Sequence, residues 1–335
     1  MICLFSTAIA QANQGIDLSE QQTSDLIDAM LNGNAKEEQI AELLLALKHK
    51  GESVEELVGA ARAMRRHMTP IDHRHSVLLD TCGTGGSGSG TFNISTAVAI
   101  VAAAAGVAVA KHGNRKASSK TGSADVLEVL GVPIECDASA VAERLDEEGI
   151  CFCFAAKLHP AMKHVVGVRR KLGVKTLFNL LGPLCNPAKA THQLLGTSTP
   201  KSQSMVADAI RQLGTTRSFV VHAEDGQDEV SLSSKTNVID VKPNQVAQYD
   251  WEPADFGLNV VDNQSLCVGD PTESAALICD IFDGQSGPCR DTVIAGTAAA
   301  LMLVERCDSL SAAVKLAAET IDSGAARKKL ESLRK

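Results

Sequence analysis

The sequence is short of aromatic residues, short of positive charge and without any long hydrophobic run. Tryptophan, tyrosine and phenylalanine contribute 1, 1 and 8 residues, only 3% of the 335-residue chain. That scarcity leaves few ring faces on which unpaired bases could stack, so nucleic acid is not an expected partner. Lysine and arginine total 32 against 40 acidic residues, a net charge of −8. Such a balance offers no field to gather nucleic acid or an anionic membrane surface. No stretch approaches the roughly 18 consecutive apolar residues of a membrane-spanning helix. The opening Met1-Ile2-Cys3-Leu4-Phe5 run lacks the charged flank of a signal peptide, because the first basic residue is Lys36; a fraying first helix is expected there instead. Ten cysteines are present without a C-x-x-C pair, which favours a reducing cytoplasmic setting over a disulfide framework. Cys151 and Cys153, separated only by Phe152, are expected to face apart along a strand and so to be poor partners for one metal.

What is present is a globular balance, 44% hydrophobic and 21% charged, in a chain long enough for one or two domains with a substantial core. A Ser19-x-x-Gln22 capping box precedes the apolar face Leu26, Ile27, Met30 and Leu31, and Asn32-Gly33 ends that helix. The next helix carries Ile40, Leu43, Leu44 and Leu47 and stops at Gly51. Ser53-x-x-Glu56 then caps a third. After Pro70 and the polar Asp72 to His75 stretch, short apolar runs alternate with helical patterns. Val77 to Leu79, Val107 to Val109, Cys151 to Phe154, Leu194-Leu195 and Phe219 to Val221 read as strands. Alternation of this kind predicts a mostly parallel sheet flanked by helices. From Thr272 to Leu333 the pattern is amphipathic helix.

Gly83-Thr84-Gly85-Gly86-Ser87-Gly88-Ser89-Gly90 places five glycines in eight positions between a strand and a helix. Backbone N–H groups there can approach a ligand closely, and the helix start adds partial positive charge, so an oxyanion such as phosphate is expected. Thr91, Asn93, Ser95 and Thr96 add polar side chains. Gly83-x-Gly85-x-x-Gly88 also satisfies the dinucleotide fingerprint literally. That fold needs an acidic residue about 20 positions onward for the ribose, whereas the second strand here ends in Lys111-His112-Gly113-Asn114-Arg115. Two cations suit a phosphate-rich ligand better, and no Lys-Ser or Lys-Thr follows the loop to make a Walker motif. Ser118, Ser119 and Ser123 can donate to phosphate or ribose oxygens, or cap the helix beginning near Ser123.

The segments Gly83 to Thr96, Lys111 to Gly131, His159 to Lys163 and Phe178 to Pro187, together with Lys50-Gly51-Glu52-Ser53, resemble the anthranilate phosphoribosyltransferases in order and spacing over nearly the whole chain. The resemblance implies an α/β architecture like that of nucleoside phosphorylases and phosphoribosyltransferases. It consists of a small all-helical domain, residues 1–72 with returning helices near 163–190, and a larger domain, 73–335, with the active site between them. It implies a homodimer formed through the helical part. It also implies transfer of phosphoribosyl from 5-phosphoribosyl 1-diphosphate to the amine of anthranilate, releasing diphosphate, in tryptophan biosynthesis.

By the same resemblance Gly83, Gly86, Ser87, Thr91, Asn93, Ile94, Ser95 and Thr96 surround the donor. So do Lys111, His112, Gly113, Asn114, Arg115, Lys116, Ala117, Ser118, Ser119 and Ser123. Gly83, Asn114 and Arg169 take anthranilate, whose carboxylate matches the planar fork of a guanidinium. Asp228 and Glu229, with the Ser95 hydroxyl, correspond to the family's Mg2+ ligands, and adjacent hard carboxylates suit that ion. Two positions depart from the family: Ser87 stands where aspartate is usual, and Gly167 replaces a common proline before Arg169. An aromatic amine is already neutral at physiological pH, so no catalytic base is assigned. Lys111, Asn114 and Arg169 act by positioning and charge stabilisation, and His112 and His159 line the site. Two alternatives remain open at this stage. One is a pyrimidine nucleoside phosphorylase-like enzyme, which would not need Asp228-Glu229; the other is a noncatalytic paralogue that binds nucleic acid.

Overall fold

Two reciprocal capping boxes organise the helical beginning of the chain. The structure, a computed structural model, describes every residue except 1, 87 and 117–119. Helices α1 (Ile2–Asn13), α2 (Glu20–Leu31), α3 (Glu37–Lys50) and α4 (Val54–His67) come first. The Ser19 hydroxyl accepts the Gln22 N–H at 3.2 Å while the Gln22 side chain accepts the Ser19 N–H at 2.9 Å. Ser53 and Glu56 repeat the exchange at the start of α4. Glu56 does more than cap. Its fully buried carboxylate also accepts the Leu18 N–H at 2.8 Å and the Lys50 ammonium at 3.1 Å. One side chain thereby ties the entry to α2, the end of α3 and the start of α4.

Seven strands form one sheet: β1 (Leu79–Gly83), β2 (Val109–Gly113), β3 (Ile150–Phe154), β4 (His192–Gly196), β5 (Arg217–Ala223), β6 (Thr236–Lys242) and β7 (Gln245–Trp251). Their order is β3-β2-β1-β4-β5-β6-β7. The first five run parallel, and β6 and β7 close the edge as an antiparallel hairpin. The sequence pattern did not reveal this hairpin, because β7 is exposed along most of its length and carries little apolar signal. Strands β1 and β2 also begin two residues later than the apolar runs suggest. As a result Lys111 and His112 lie inside β2 rather than beyond it.

Alternation along the strands divides the core. Leu194, Phe219, Val221 and Val238 pack with α5 (Ile94–Ala104) and the C-terminal helices, while Cys82, Leu195, Val220 and Ile239 pack toward the N-terminal helices. Val165, Val168, Leu177, Phe178, Leu181 and Leu184 join that second cluster, so the chain between β3 and β4 returns to the helical body. Cys151 and Cys153 require a correction. Residues two apart on a strand share a face, and their sulfurs lie 3.9 Å apart in a small buried cluster with Ala110 and Leu145. Both thiols are free, and no metal-holding group of three His, Cys, Asp or Glu exists among the described residues.

Removing the Glu56 carboxylate strands the Leu18 and Ser53 N–H groups and takes one of its partners from the Lys50 ammonium, which keeps Asp17 and the Gly51 carbonyl. Glu56→Ala is expected to lower stability by about 3 kcal/mol, read as a lower urea midpoint with the slope unchanged. A loss below about 0.5 kcal/mol would show that water replaces these bonds.

Candidate active site

The strand order reverses beside β1. From β1 the chain moves outward through β2 to β3 and then crosses back to β4 on the other side of β1. In open parallel sheets the carboxyl ends at such a reversal form a natural crevice, and there three strands end in glycine: Gly83, Gly113 and Gly196. Gly83 and Gly196 are register partners. A Cβ on Gly83 would lie 2.8 Å from Asp228 Oδ2, and one on Gly196 would overlap the Asp228 backbone. The two bare positions therefore admit the turn after β5 that carries Asp228 and Glu229. Asp228 Oδ2 also accepts the Gly85 N–H at 3.2 Å, joining that turn to the glycine-rich loop. Gly85, Gly86, Gly88 and Gly90 all have φ between 68° and 80°, backbone that other residues seldom adopt.

Lys111 lies beneath this loop, only 4% exposed. Its ammonium donates to the Thr81 carbonyl at 2.6 Å and to Ser95 Oγ at 3.0 Å. Burial pulls its pKa down, opposed by the neighbouring acidic groups, Asp80 foremost. Glu229 accepts a hydrogen bond from the Ser95 backbone, yet burial, reinforced by the adjacent Asp228 charge, pushes its carboxyl up to about 8. Burial likewise raises Asp80, whose Oδ1 accepts the His112 N–H at 3.1 Å. Thus Ser95, Asp228 and Glu229 come together beside Lys111, as a pair of crowded carboxylates with a hydroxyl.

His112 Nδ1 lies 2.9 Å from the Gly182 carbonyl, which can only accept, so Nδ1 carries the proton. Its Nε2 is then an acceptor and takes the N–H of His159 Nε2 at 3.2 Å. Burial, with His159 beside it, pushes His112 down to about 3, and burial pushes His159 to about 4. Both rings are neutral near physiological pH.

The other residues singled out in the sequence have varied surroundings. Asn93 exchanges hydrogen bonds with Ser274, and Thr91 pairs with Cys267 and approaches Ser89. Ile94 and Thr96 are buried on α5 and turn into the core. The loop after β2 is held from below: the Asp125 carboxylate accepts the Lys116 N–H at 2.8 Å and the Gly122 N–H at 3.1 Å. Gly122, not a serine, is the N-cap of the helix Ser123–Val129. Asn114 offers its carbonyl to Ser123 and Ala124, and Gly113 is bare where a Cβ would strike Ser123 Oγ. Arg115 is an exposed cation paired with Glu128, Asp125 and Glu135, whereas Lys111 is a buried one. Ser87, Ala117, Ser118 and Ser119 lie outside the described residues.

Arg169 sits on the helix Val166–Leu172, its guanidinium over the Phe178 ring at 5.3 Å. Burial lowers its pKa, and no carboxylate pairs with it among the described residues. A half-buried guanidinium without a counter-charge is a ready acceptor for one. Asp80, Thr81, Asp125 and Lys175 belong to the same constellation but were not singled out in the sequence. Only Asp80, a charge inside an apolar strand run, left a signal there.

Comparison with known proteins agrees with this geometry. Residues 6–68 match the helical bundle domain of a glycosyl transferase family and residues 75–327 match that family's a/b domain. A curated anthranilate phosphoribosyltransferase of Rhodopirellula baltica is 65% identical over 329 residues, 98% of this chain and 96% of the relative. The crystal structure of the Thermus thermophilus anthranilate phosphoribosyltransferase superposes with TM-score 0.91 at 41% identity, covering 98% of each chain. The Saccharomyces cerevisiae enzyme in complex with PRPP and Mg gives 0.89 at 27% identity, covering 98% of this chain and 97% of that one. With the small helical domain, the mostly parallel sheet and near-complete coverage in both comparisons, this chain belongs to the anthranilate phosphoribosyltransferase family.

Proposed function

We propose that this chain transfers the phosphoribosyl group of 5-phosphoribosyl 1-diphosphate to the amine of anthranilate, releasing diphosphate, as a magnesium-dependent step of tryptophan biosynthesis. The observation that carries the reading is the convergence of the glycine-rich loop, Lys111 and the Asp228-Glu229 turn at the reversal of strand order. The donor set fits Mg2+: hard oxygens from Ser95, Asp228 and Glu229, with the remaining positions left to phosphate and water, as is usual for this ion. Bound there, magnesium would neutralise charge on the leaving diphosphate. The yeast homologue crystallised with PRPP and Mg, and again with 4-fluoroanthranilate, supports the same ligands here.

Lys111 and the loop N–H groups stabilise the negative charge that builds on diphosphate as the glycosidic bond breaks. Arg169 and Asn114 hold anthranilate so that its neutral amine faces the anomeric carbon. The proposed donor contacts run from Gly83 to Thr96, excluding the side chains of Ile94 and Thr96, and from Lys111 to Ser119 with Ser123. In this reading the chain divides at residue 72, with 163–190 returning to the helical part and the two substrates meeting in the cleft between the domains. No described helix is long and apolar enough to cross a membrane, and a cytoplasmic homodimer completes the reading; sedimentation would report the dimer.

The direct test mixes protein, anthranilate, 5-phosphoribosyl 1-diphosphate and magnesium and follows the loss of anthranilate fluorescence; no turnover would sink the assignment. Arg169→Ala should raise the anthranilate KM by about tenfold or more, the worth of a charge-assisted pair, with the donor KM nearly unchanged. An unaltered anthranilate KM would remove Arg169 from the acceptor site.

Glu229 sets a pH dependence whose sign follows from its shift. The folded chain keeps this proton up to about 8, whereas the unfolded chain releases it near 4.5. Stability from this group is therefore complete below 4.5 and lost as pH rises through about 8. Above about 7.5, where the unfolded histidines have released nearly all the protons they bind around 6.5, metal-free protein should lose urea resistance as pH rises through about 8, and magnesium should restore it. Glu229→Gln should flatten the slope and remove the rescue; a Gln variant with the wild-type profile would contradict the assignment.

A further inference from the structure

Lys175 donates from its ammonium to the Gly86 carbonyl at 2.9 Å, so a side chain that sequence patterns pass over touches the glycine-rich loop directly. The approach is close enough that a Cβ on Gly86 would collide with the end of the lysine, and Gly86 has φ 80°. Position 86 is thus closed to larger residues by its backbone conformation and by Lys175 together.

The two partners come from different bodies. Gly86 follows β1 of the sheet. Lys175 lies in the short turn after Gly173, whose left-handed backbone ends the helix Val166–Leu172. Asn179 accepts the Thr176 N–H at 2.9 Å just beyond. Val168, Leu177 and Phe178, on either side of the turn, are buried against α1–α4. The base of Lys175 is therefore fixed to the helical body while its ammonium reaches across to the loop. No carboxylate pairs with it among the described residues; its partner there is one neutral carbonyl. An ammonium has three N–H donors and binds an ionised oxygen far more strongly than a peptide carbonyl. A cation held beside glycine N–H groups that favour an oxyanion has a better partner available than the one it holds.

We propose that Lys175 is a donor-binding residue. In the free protein it latches the glycine-rich loop to the helical body through Gly86, and it transfers its ammonium to the diphosphate when the donor enters. This rests on the phosphoribosyl-transfer reading and extends it. The segment that carries Arg169 for the acceptor carries, six positions on, a cation for the donor. Both substrates would then draw the same rigid segment toward the sheet.

The test compares wild-type, Lys175→Met and Lys175→Arg by steady-state kinetics, with thermal unfolding in parallel. Met keeps the length and apolar stem without the charge. The donor KM should rise about tenfold or more in the Met variant, the usual effect of losing one charge-assisted bond, with the anthranilate KM and unfolding temperature held. Arg should restore most of the loss. An unchanged donor KM in the Met variant would overturn the proposal, as would a drop in unfolding temperature without a change in donor KM, which marks a purely structural tie. If wild-type protein turns over no anthranilate, the functional reading fails on its own. Calorimetric titration of magnesium diphosphate into wild-type and Met proteins still decides the role of Lys175: weaker binding by the variant supports it, and equal binding removes it.

Discussion

A buried ammonium with carboxylates on both sides is the constraint from which the rest of the site follows. Lys111 cannot sit 4% exposed in β2 without compensation. The fold supplies it from three elements: the Thr81 carbonyl of β1, the Ser95 hydroxyl at the start of α5, and the neighbouring carboxyl groups of Asp80 and Glu229. Each provider is tied to something else. Asp80 holds the backbone of β2 through His112, Thr81 Oγ1 donates to the Ser95 carbonyl, and Glu229 takes the Ser95 N–H. Shifting β2 by one residue would turn Lys111 to the other face and strand every one of these partners. Register and electrostatics are thus the same constraint.

The cleft is then placed by which face each strand residue presents. Strands buried on both sides send alternate residues to the C-terminal helices and to the helical body, so the two bodies share one sheet as a common wall. The loops at the carboxyl ends of β1, β2, β4 and β5 open where the bodies meet. The return of residues 165–184 to the helical core brings Lys175 to that opening from the opposite side. With Lys175 on one body and Lys111 and the main-chain donors on the other, a bound diphosphate would touch both in the proposed reaction, and water leaving the cleft would strengthen each interaction inside it.

Local rules in the sequence were legible wherever a short-range contact decides the structure. Both capping boxes, the Gly33 and Gly51 stops and the strand–glycine–helix unit appear where spacing puts them, because each depends on residues within four positions. Long-range pairing was not legible. The edge hairpin β6–β7 has a weak pattern because only one of its strands is buried. The carboxylates that pair with Arg115 lie at Glu128 and Glu135, too far along the chain for spacing to announce them. Lys175 reads as an ordinary surface charge until the chain's return carries it 89 residues back to Gly86. The Cys151–Cys153 reading failed on a different point, the period of a strand, which places alternate residues side by side.

The ionisation states decide what kind of catalysis such a site can perform. A general base for the amine would need a side chain poised near physiological pH with an accessible lone pair. His112 and His159, held down to about 3 and 4, are in the basic form but too weakly basic to take a proton effectively, and the lone pair of His112 Nε2 is occupied by His159. Glu229, at about 8, is buried against Asp228 and Lys111. What the site does supply is positive charge where a diphosphate would gain charge, and the proposed reading adds the Arg169 guanidinium, which has no carboxylate partner among the described residues. An aromatic amine carries its nucleophilic lone pair unprotonated, so its reaction needs alignment and a stabilised leaving group and can release its proton after the new bond has formed. The site's inventory, rich in preorganised charge and poor in usable bases, matches a glycosyl transfer driven by departure of the leaving group.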